Sequence, residues 1–328
     1  MTQFSRREML RFAGLGAGLA LLPSRLPAQP ALAAAPAALP LNTAFYRFRI
    51  GAFEAAAFVT GFMGAEPSQP FYAPQASEAE FRAAVAAAAG SKGRMHFNAL
   101  LLRRGAETIL IDAGPGGKVP DDCDLVANLA RLGVAPADVT RVVLTHAHFD
   151  HCGGLLDADG RAVFSRAEHC CLAEEIAFWT APQPDLTKLR MNPEWVLGPA
   201  RRVFEKIAFT RLETGVPFAE GITPLLSPGH TPGHMTLRIE SQGEALYHIA
   251  DLTHNAHVML PHPDWTIGSD CDEPIAAATR KRIFAELAAN GARVFGSHTP
   301  FPGLGRIVAL SGGGEQYRWV PEDWAPVG

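Results

Sequence analysis

The side chains with the clearest chemical potential in this 328-residue chain lie in one short segment. In order, it reads Thr145-His146-Ala147-His148-Phe149-Asp150-His151. Three histidines and one aspartate within six residues are improbable by chance, because the whole chain has only 12 histidines. Imidazole and carboxylate groups together are ligands that zinc and similar divalent metals prefer in proteins. The segment therefore predicts a metal site rather than an ordinary polar loop.

The spacing within this segment favours a turn or an extended loop. A helix that binds zinc through two histidines presents them four residues apart, whereas His146 and His148 are two apart. In a turn or an extended loop, residues two apart can point the same way. We therefore expect His146 and His148 to approach one ion while Asp150 and His151 face another.

Three later segments contain further candidate ligands, which a second metal ion would need. They are residues 227–234, Ser-Pro-Gly-His-Thr-Pro-Gly-His; residues 249–251, Ile-Ala-Asp; and residues 296–298, Gly-Ser-His. Each lies in a Gly/Pro turn or at the end of a predicted strand, where active-site residues are concentrated. His230, Asp251 and His298 are therefore candidates for the same site.

The elements that must position these side chains are strand hairpins and helices. The predicted hairpins pair Phe45–Ile50 with Glu54–Thr60, and Phe97–Leu102 with Thr108–Ile111. Further strands are predicted at Val142–Leu144, Ala245–Ala250 and Ala292–Phe295, and helices at Ser77–Ala89, Asp122–Leu132 and Thr279–Ala289. This mixture is typical of an α/β protein with a mixed sheet. The segment Pro182–Pro193 is either a loop over the active site or a plain surface insertion.

The first 33 residues have the three parts of an export signal. Arg6 and Arg7 supply a basic start, Phe12–Leu22 is an apolar run, and Ala31-Leu32-Ala33 is a small-residue cleavage site. The arginine pair resembles a twin-arginine signal, with an ordinary secretory signal as the alternative. The apolar run is shorter than the ~20 residues that span a bilayer, which disfavours a stable membrane anchor. We expect residues 34–328 to form one domain, periplasmic or secreted.

Composition limits the partners of the mature chain. The formal net charge is −4, and residues 1–33 are net positive, so the remaining chain is more acidic still. An acidic protein without an extended basic run is a poor candidate for nucleic-acid binding, which relies on neutralising phosphates. The five cysteines include no Cys-x-x-Cys pair, and we interpret them mainly as core residues or as neighbours of the ligands, with one disulfide as an open alternative. We expect a small-molecule partner, with a homodimer as an open alternative to a monomer.

The order of these motifs resembles the metallo-β-lactamase superfamily. The shared pattern is His-x-His-x-Asp-His, then Pro-Gly-His-Thr-Pro-Gly-His, then an aspartate and a final histidine. Residues 110–114, Leu-Ile-Asp-Ala-Gly, match a further motif of that superfamily. The resemblance covers roughly residues 45–325. It implies a four-layer αβ/βα sandwich with two mixed β-sheets.

The resemblance also implies two divalent metal ions, zinc in the first instance, and a ligand set for each. His146, His148 and His230 would hold one ion, while Asp150, His151 and His298 would hold the other. Asp251 would bridge the two ions together with a shared hydroxide, which makes Asp251 and Asp150 the expected catalytic carboxylates. Asp112 would orient the ligand loop from outside the ligand set. The alternative for Asp112 is an aspartate that caps a turn.

Within the superfamily, the chain resembles the methyl parathion hydrolase group. The likeness lies in residues 45–54, 124–129, 298–303 and 317–321. Trp179 resembles a pocket aromatic of that group, and His254 stands where the group has an aliphatic residue. Both are therefore expected in the substrate pocket. Residues 117–120, Gly-Lys-Val-Pro, lack an aromatic that the group has after its glycine-rich turn.

The implied activity is hydrolysis of lactones, aryl esters or phosphotriesters by a hydroxide shared between two metal ions. The departures from the methyl parathion hydrolase pattern favour lactones and aryl esters. One alternative is a redox enzyme with a single iron on the same fold. Another is a non-catalytic metal-binding module, which the intact Asp150 and Asp251 disfavour.

Overall fold

The computed structural model describes residues 43–64, 69, 71–88, 95–312 and 314–323. The predicted signal peptide, residues 1–33, lies outside these ranges. Within them, no helix combines the length and apolar character needed to cross a bilayer. All five cysteines are free thiols, and four of them are buried.

The first sheet has eight strands. They are β1 Phe45–Ile50, β2 Phe53–Met63, β3 Met95–Arg104, β4 Glu107–Ile111, β5 Asp121–Asp122, β6 Arg141–Val143, β7 Glu168–Leu172 and β8 Phe209–Leu212. Their order is β1-β2-β3-β4-β6-β7-β8, and β5 pairs with β2. Strands β1 to β4 are antiparallel neighbours, whereas β4, β6, β7 and β8 run parallel.

The second sheet has six strands. They are β9 Ile222–Leu226, β10 Met235–Ser241, β11 Glu244–His248, β12 Arg293–Phe295, β13 Leu304–Ala309 and β14 Tyr317–Pro321. Their order is β14-β13-β12-β11-β10-β9. Only β11 and β12 pair in parallel; the other neighbours in this sheet are antiparallel. Two mixed sheets confirm the predicted fold class.

Seven α-helices flank the sheets in the described part of the chain. They are α1 Glu78–Ala87, α2 Leu125–Arg131, α3 Phe149–Cys152, α4 Ala173–Thr180, α5 Glu194–Lys206, α6 Ala256–Met259 and α7 Glu273–Ala289. The predicted helix at residues 279–289 begins earlier, at Glu273, because the Asp272 side chain accepts a hydrogen bond from Ile275 N and caps the helix. The predicted helix at residues 122–132 begins later, because Asp124 caps it.

Alternating side chains of the strands build the layers, since successive residues of a strand face opposite sides of a sheet. On β3, Leu100 and Leu102 pack against the second sheet, in a core that includes Leu237. Leu101 faces the other way, into a core covered by α2, α4 and α5. Helix α7 covers the outer face of the second sheet through Phe284. The layers therefore run helix, sheet, sheet, helix.

The carboxyl ends of four strands lead directly to candidate residues. Strands β4 and β6 are parallel neighbours in one sheet, as are β11 and β12 in the other. Because parallel strands end at the same edge, the loops after them meet there. Strand β11 ends at His248, two residues before the predicted end, because Ala250 adopts a left-handed φ of 43°. This turn carries Asp251 out of the sheet.

Candidate metal centre

The loop after β6 presents the first four candidate ligands. His148 has an extended backbone and precedes α3, whose single turn carries Asp150 and His151. The expected loop therefore holds His146 and His148, while a helical turn holds the other two. All four side chains are buried, so the loop contributes a desolvated cluster rather than a solvated surface.

The remaining candidates arrive from three separate loops of the second sheet. His230 lies between β9 and β10, Asp251 follows β11, and His298 follows β12. The structure brings the seven predicted ligands into two groups that share Asp251, and within each group the ligand atoms lie within 4.8 Å of one another. One group is His146, His148, His230 and Asp251; the other is Asp150, His151, His298 and Asp251.

Asp251 lies at the junction of the two groups. Its Oδ1 is 3.0 Å from His151 Nε2, and its Oδ2 is 2.9 Å from His298 Nε2. On the other side, Oδ2 lies 3.3 Å from His230 Nε2 and 3.5 Å from His146 Nε2. Burial would raise the pKa of Asp251, but the surrounding histidines hold it well below its usual value. A carboxylate in this place can bind an ion on each side.

The donor atoms of the site fit a pair of divalent ions. The Nε2 atoms of His146, His148, His151 and His230 are buried and make no hydrogen bond, and neither does Asp251 Oδ1. A buried polar atom without a hydrogen bond lowers the free energy of unfolding by about 1–3 kcal/mol. A cluster of such atoms is therefore stabilised by bound metal ions. Burial lowers the pKa of His146 and His148 well below the usual value, which favours the neutral imidazole that metals bind.

Asp112 supports the second group. It accepts hydrogen bonds from His151 Nδ1, Thr145 N and Thr145 Oγ1, each at 2.8 Å. The bond to Nδ1 places the His151 proton on that nitrogen and leaves Nε2 facing the centre. Asp112 therefore orients a ligand and also ties down the start of the ligand loop. Its φ of 61° is unusual for a non-glycine residue and directs the carboxylate into the site.

Asp270 supports His230, and no sequence motif marks it. Its Oδ1 accepts from His230 Nδ1 at 2.7 Å, and its Oδ2 accepts from Ile267 N at 3.1 Å. Burial would raise the pKa of Asp270, but the His230 hydrogen bond and the Arg280 charge hold it at about 2. His298 is held instead by a backbone group, because its Nδ1 lies 2.7 Å from His96 O.

Glu175 is the second supporting carboxylate that the sequence did not reveal. Its Oε1 accepts from Ala147 N at 2.8 Å, between the ligands His146 and His148. Burial raises its pKa, against the opposing effect of its hydrogen bonds. The nearest sequence signal is its place at the start of α4, which on its own marks only a helix terminus.

The prediction that Trp179 lines the substrate pocket is wrong. Its side chain is fully buried, and its Nε1 donates to Glu175 Oε1 at 2.6 Å. Its ring lies 6.0 Å from the His148 ring, on the core side of that ligand. An aromatic residue in a cavity wall and one in the core have the same sequence signature, so the pattern could not separate them.

Two further histidines lie against Asp251. His234 Nε2 accepts from Asp251 N at 3.0 Å, and its Nδ1 lies 2.9 Å from Ser227 O; burial lowers its pKa to about 3. His234 therefore holds the turn together. His254 Nε2 lies 3.1 Å from Asp251 Oδ2, while its buried Nδ1 has no hydrogen-bond partner. The structure places His254 in the wall of a cavity.

That cavity has a volume of about 500 Å³ and opens onto the two groups. His148, Asp150 and Asp251 form its polar floor. His254 lies in a wall, and the other wall residues are mainly apolar, with contributions from Met63, Phe71, Met95, Val119, Met191 and Trp195. Lys118 is the cation among the described lining residues. Met191, near the end of the segment Pro182–Pro193, lines the cavity, so this segment borders the site. Trp195 on α5 is 64% exposed.

Curated relatives and solved structures include lactonases. The N-acyl homoserine lactonase AttM of Azorhizobium caulinodans is 29% identical over 199 residues, which is 55% of this chain and 65% of the relative. An N-acyl homoserine lactonase of Bacillus cereus is 26% identical over 129 residues, 39% of this chain and 44% of the relative. The chain thus spans less than two thirds of the length of these two relatives.

Two solved structures match over nearly their whole length. AidC, described as a dizinc quorum-quenching lactonase in complex with the product N-hexanoyl-L-homoserine, has a TM-score of 0.78 and 29% identity, covering 87% of this chain and 99% of AidC. The hydrolase AbOPH of the β-lactamase superfamily has a TM-score of 0.77 and 27% identity, covering 88% of this chain and 100% of AbOPH. The family model of the metallo-β-lactamase superfamily matches residues 94–298, which include all seven predicted ligands. The chain belongs to the metallo-β-lactamase superfamily.

Proposed function

We propose that this protein is a metal-dependent hydrolase that opens lactone rings, with two zinc ions in the groups that share Asp251. The observation that carries the proposal is the position of Asp251, between two clusters of unpaired buried ligand atoms and on the floor of an apolar cavity. The similarity to AidC over 99% of that lactonase supports the same conclusion.

The chemistry divides between the bound ions and the chain. When bound, two divalent ions lower the pKa of a shared water and polarise the substrate carbonyl. The chain holds Asp150 and Asp251 on the cavity floor, where their carboxylates face an incoming ester bond. His254 lies in the adjacent wall, and we assign it to a contact with the substrate. The buried setting strengthens each of these polar interactions by excluding water.

The cavity walls define the rest of the substrate. Apolar side chains surround a volume of about 500 Å³, which suits a lactone with an apolar acyl or alkyl arm. Aryl esters share the carbonyl chemistry and fit the same walls, so we keep them as the second candidate. Phosphotriesters are less favoured, because residues 117–120 lack the aromatic that the resemblance to the methyl parathion hydrolase group implies, and this segment places the cation Lys118 in the cavity wall.

We also propose that the mature protein acts outside the cytoplasm. The proposal rests on Arg6 and Arg7, the apolar run that follows them and the small-residue cleavage site. Twin-arginine export carries folded proteins, so the metal ions would be bound before the protein leaves the cytoplasm.

The test is a substrate panel on mature protein, residues 34–328, stripped of metal and then reconstituted with zinc. The panel contains lactones with short and long alkyl or acyl-amino arms, an aryl ester and a phosphotriester. We expect lactone hydrolysis that appears with zinc and disappears with a chelator. Fully metal-loaded protein without lactone turnover would overturn the proposal. One iron per chain with oxygen-dependent turnover would support the redox alternative.

A further inference from the structure

Glu175 joins the two loops that supply the histidines of one metal group. Its Oε1 accepts from Ala147 N at 2.8 Å, on the loop of His146 and His148. Its Oε2 accepts from Thr231 Oγ1 at 2.5 Å and from Gly233 N at 3.1 Å, on the loop of His230. The side chain is fully buried, so these bonds are not exchanged with water. Each oxygen of one carboxylate therefore holds one ligand loop.

The close packing around Glu175 shows that this contact extends to the backbone. A Cβ added at Gly233 would lie 2.1 Å from Glu175 N, so the His230 loop touches the first turn of α4 directly. Trp179 donates a further hydrogen bond to Glu175 Oε1 at 2.6 Å and fixes that oxygen from the core side. Glu175 is thus held rigidly while it holds the two loops.

The second metal group has its own supports. Asp112 holds His151, and the carbonyl of His96 lies 2.7 Å from His298 Nδ1. No hydrogen bond of Glu175 reaches Asp150, His151 or His298 among the described residues. The two groups share Asp251; Glu175 bonds only the loops that carry His146, His148 and His230, whereas Asp112 bonds His151 directly and the start of the first loop through Thr145.

We infer that Glu175 is a positioning residue for the metal ion bound by His146, His148 and His230, and that it sets the affinity of this ion independently of the other. The inference rests on the proposed two-metal centre. Glu175 acts on the ion only through the two loops, because it is not among the residues whose atoms could ligate it.

A carboxylate fits here because three of its four partners, Ala147 N, Gly233 N and Trp179 Nε1, can only donate, whereas the Thr231 hydroxyl can donate or accept. Glutamine at this position has one acceptor oxygen and one donor nitrogen. If its oxygen faced Ala147 N and Trp179 Nε1, its amide nitrogen would face Gly233 N, another donor. The His230 loop would therefore lose its bond through Gly233 N and keep only the one through the Thr231 hydroxyl, while the other loop kept its bond through Ala147 N. Loss of such a supporting contact typically costs about 10–100-fold in metal affinity.

The experiment is a titration of the metal-free mature protein with zinc. Binding is monitored by calorimetry or by competition with a chromophoric chelator. Wild type, Glu175→Gln and Glu174→Gln are compared; Glu174 is the exposed neighbour on the same helix and serves as the matched control. We expect two binding steps in the wild type and in Glu174→Gln. In Glu175→Gln, one step should weaken by about 10–100-fold while the other keeps its affinity.

Zinc occupancy in crystals, measured by anomalous diffraction, then identifies the weakened site as the one with His230. Thr231→Val serves if Glu175→Gln does not fold, because it removes one hydroxyl donor and keeps the shape of the side chain. We expect it to weaken the same step by a smaller factor. Equal weakening of both steps, or no change in either, would contradict the inference. A wild type that binds fewer than two ions would instead contradict the proposed function.

Discussion

At the scale of single residues, the candidate metal centre is recognised by buried polar atoms that have no hydrogen-bond partner. Four histidine Nε2 atoms of the two predicted ligand groups and one oxygen of Asp251 are buried without hydrogen bonds, and they face one another across the centre; His169 and His248 also have an unpaired Nε2, but neither belongs to a ligand group. The far-side nitrogens of four of the histidines have partners, among them His151 with Asp112 and His230 with Asp270. The chain thus orients its ligands from behind and leaves their metal-facing atoms free.

The first prediction concerns Asp251. Asp251→Asn preserves the size of the side chain but removes the charge that can serve both ions, so we expect lower zinc occupancy and a fall in kcat on the order of 100-fold or more. Asp112→Asn should cost less, about 10–100-fold, because Asp112 acts through His151. Metal content and rate are measured on the same preparations. An Asp251→Asn protein with two ions and near-normal turnover would show that Asp251 is not the bridge.

The second prediction concerns Trp195, whose exposed ring lies in the cavity wall. Trp195→Ala removes apolar surface that a long substrate arm can cover, so KM for long-arm lactones should rise about 5–10-fold, corresponding to roughly 1 kcal/mol of apolar contact. KM for short-arm lactones should stay the same. Val216→Ala is the control, because Val216 is exposed but not among the cavity residues. An equal rise in KM for all lactones would show that Trp195 stabilises the structure of the site and does not contact the long substrate arm.

At the scale of elements, the ends of parallel strands explain why distant motifs meet. The loops after β4 and β6 in one sheet, and after β11 and β12 in the other, carry Asp112, His146, Asp251 and His298 to one place. Helix α4 adds Glu175 behind two of the ligand loops. Helix α5 was absent from the sequence prediction because Gly198 and Pro199 interrupt its pattern, yet it supplies part of the cavity wall.

The third prediction tests the contact between α4 and the His230 loop. A Cβ at Gly233 would overlap the backbone of Glu175, so Gly233→Ala must push the loop and the helix apart. We expect a loss of about 1–3 kcal/mol in the free energy of unfolding of the metal-free protein, together with weaker zinc binding. Gly198→Ala is the control, since a Cβ there meets no neighbour within 4 Å on α5. Equal thermal midpoints for both variants would contradict the predicted overlap.

At the scale of the whole molecule, the sequence was sufficient to predict functional residues that lie in short contiguous motifs. The seven candidate ligands were predicted because five of them fall in two short His-rich segments and the other two, Asp251 and His298, directly follow predicted strands. The fold class followed from the resemblance that these motifs carry. Asp270 and Glu175 were missed because each is a single carboxylate 40 and 28 residues from the group that it supports. Trp179 was misplaced because only the packing of α4 shows which way its ring points.

The fourth prediction concerns export of the whole chain. Arg6→Lys combined with Arg7→Lys keeps the charge but removes the arginine pair, so precursor should accumulate in the cytoplasm if the twin-arginine pathway is used. Arg25→Lys, outside the pair, is the control and should be exported normally. Fractionation of cells and immunoblotting of precursor and mature forms provide the measurement. Unchanged export of the double variant would assign the segment to the general secretory pathway.

The most direct measurement is lactone turnover as a function of the zinc bound per chain. Metal-free mature protein is titrated with zinc, and bound metal is determined by elemental analysis at each point where the rate is measured. Because Asp251 joins two complete ligand groups, we predict that turnover rises until two ions are bound per chain and then levels off. Full turnover with one ion bound, or none with two, would contradict a centre in which both groups act together.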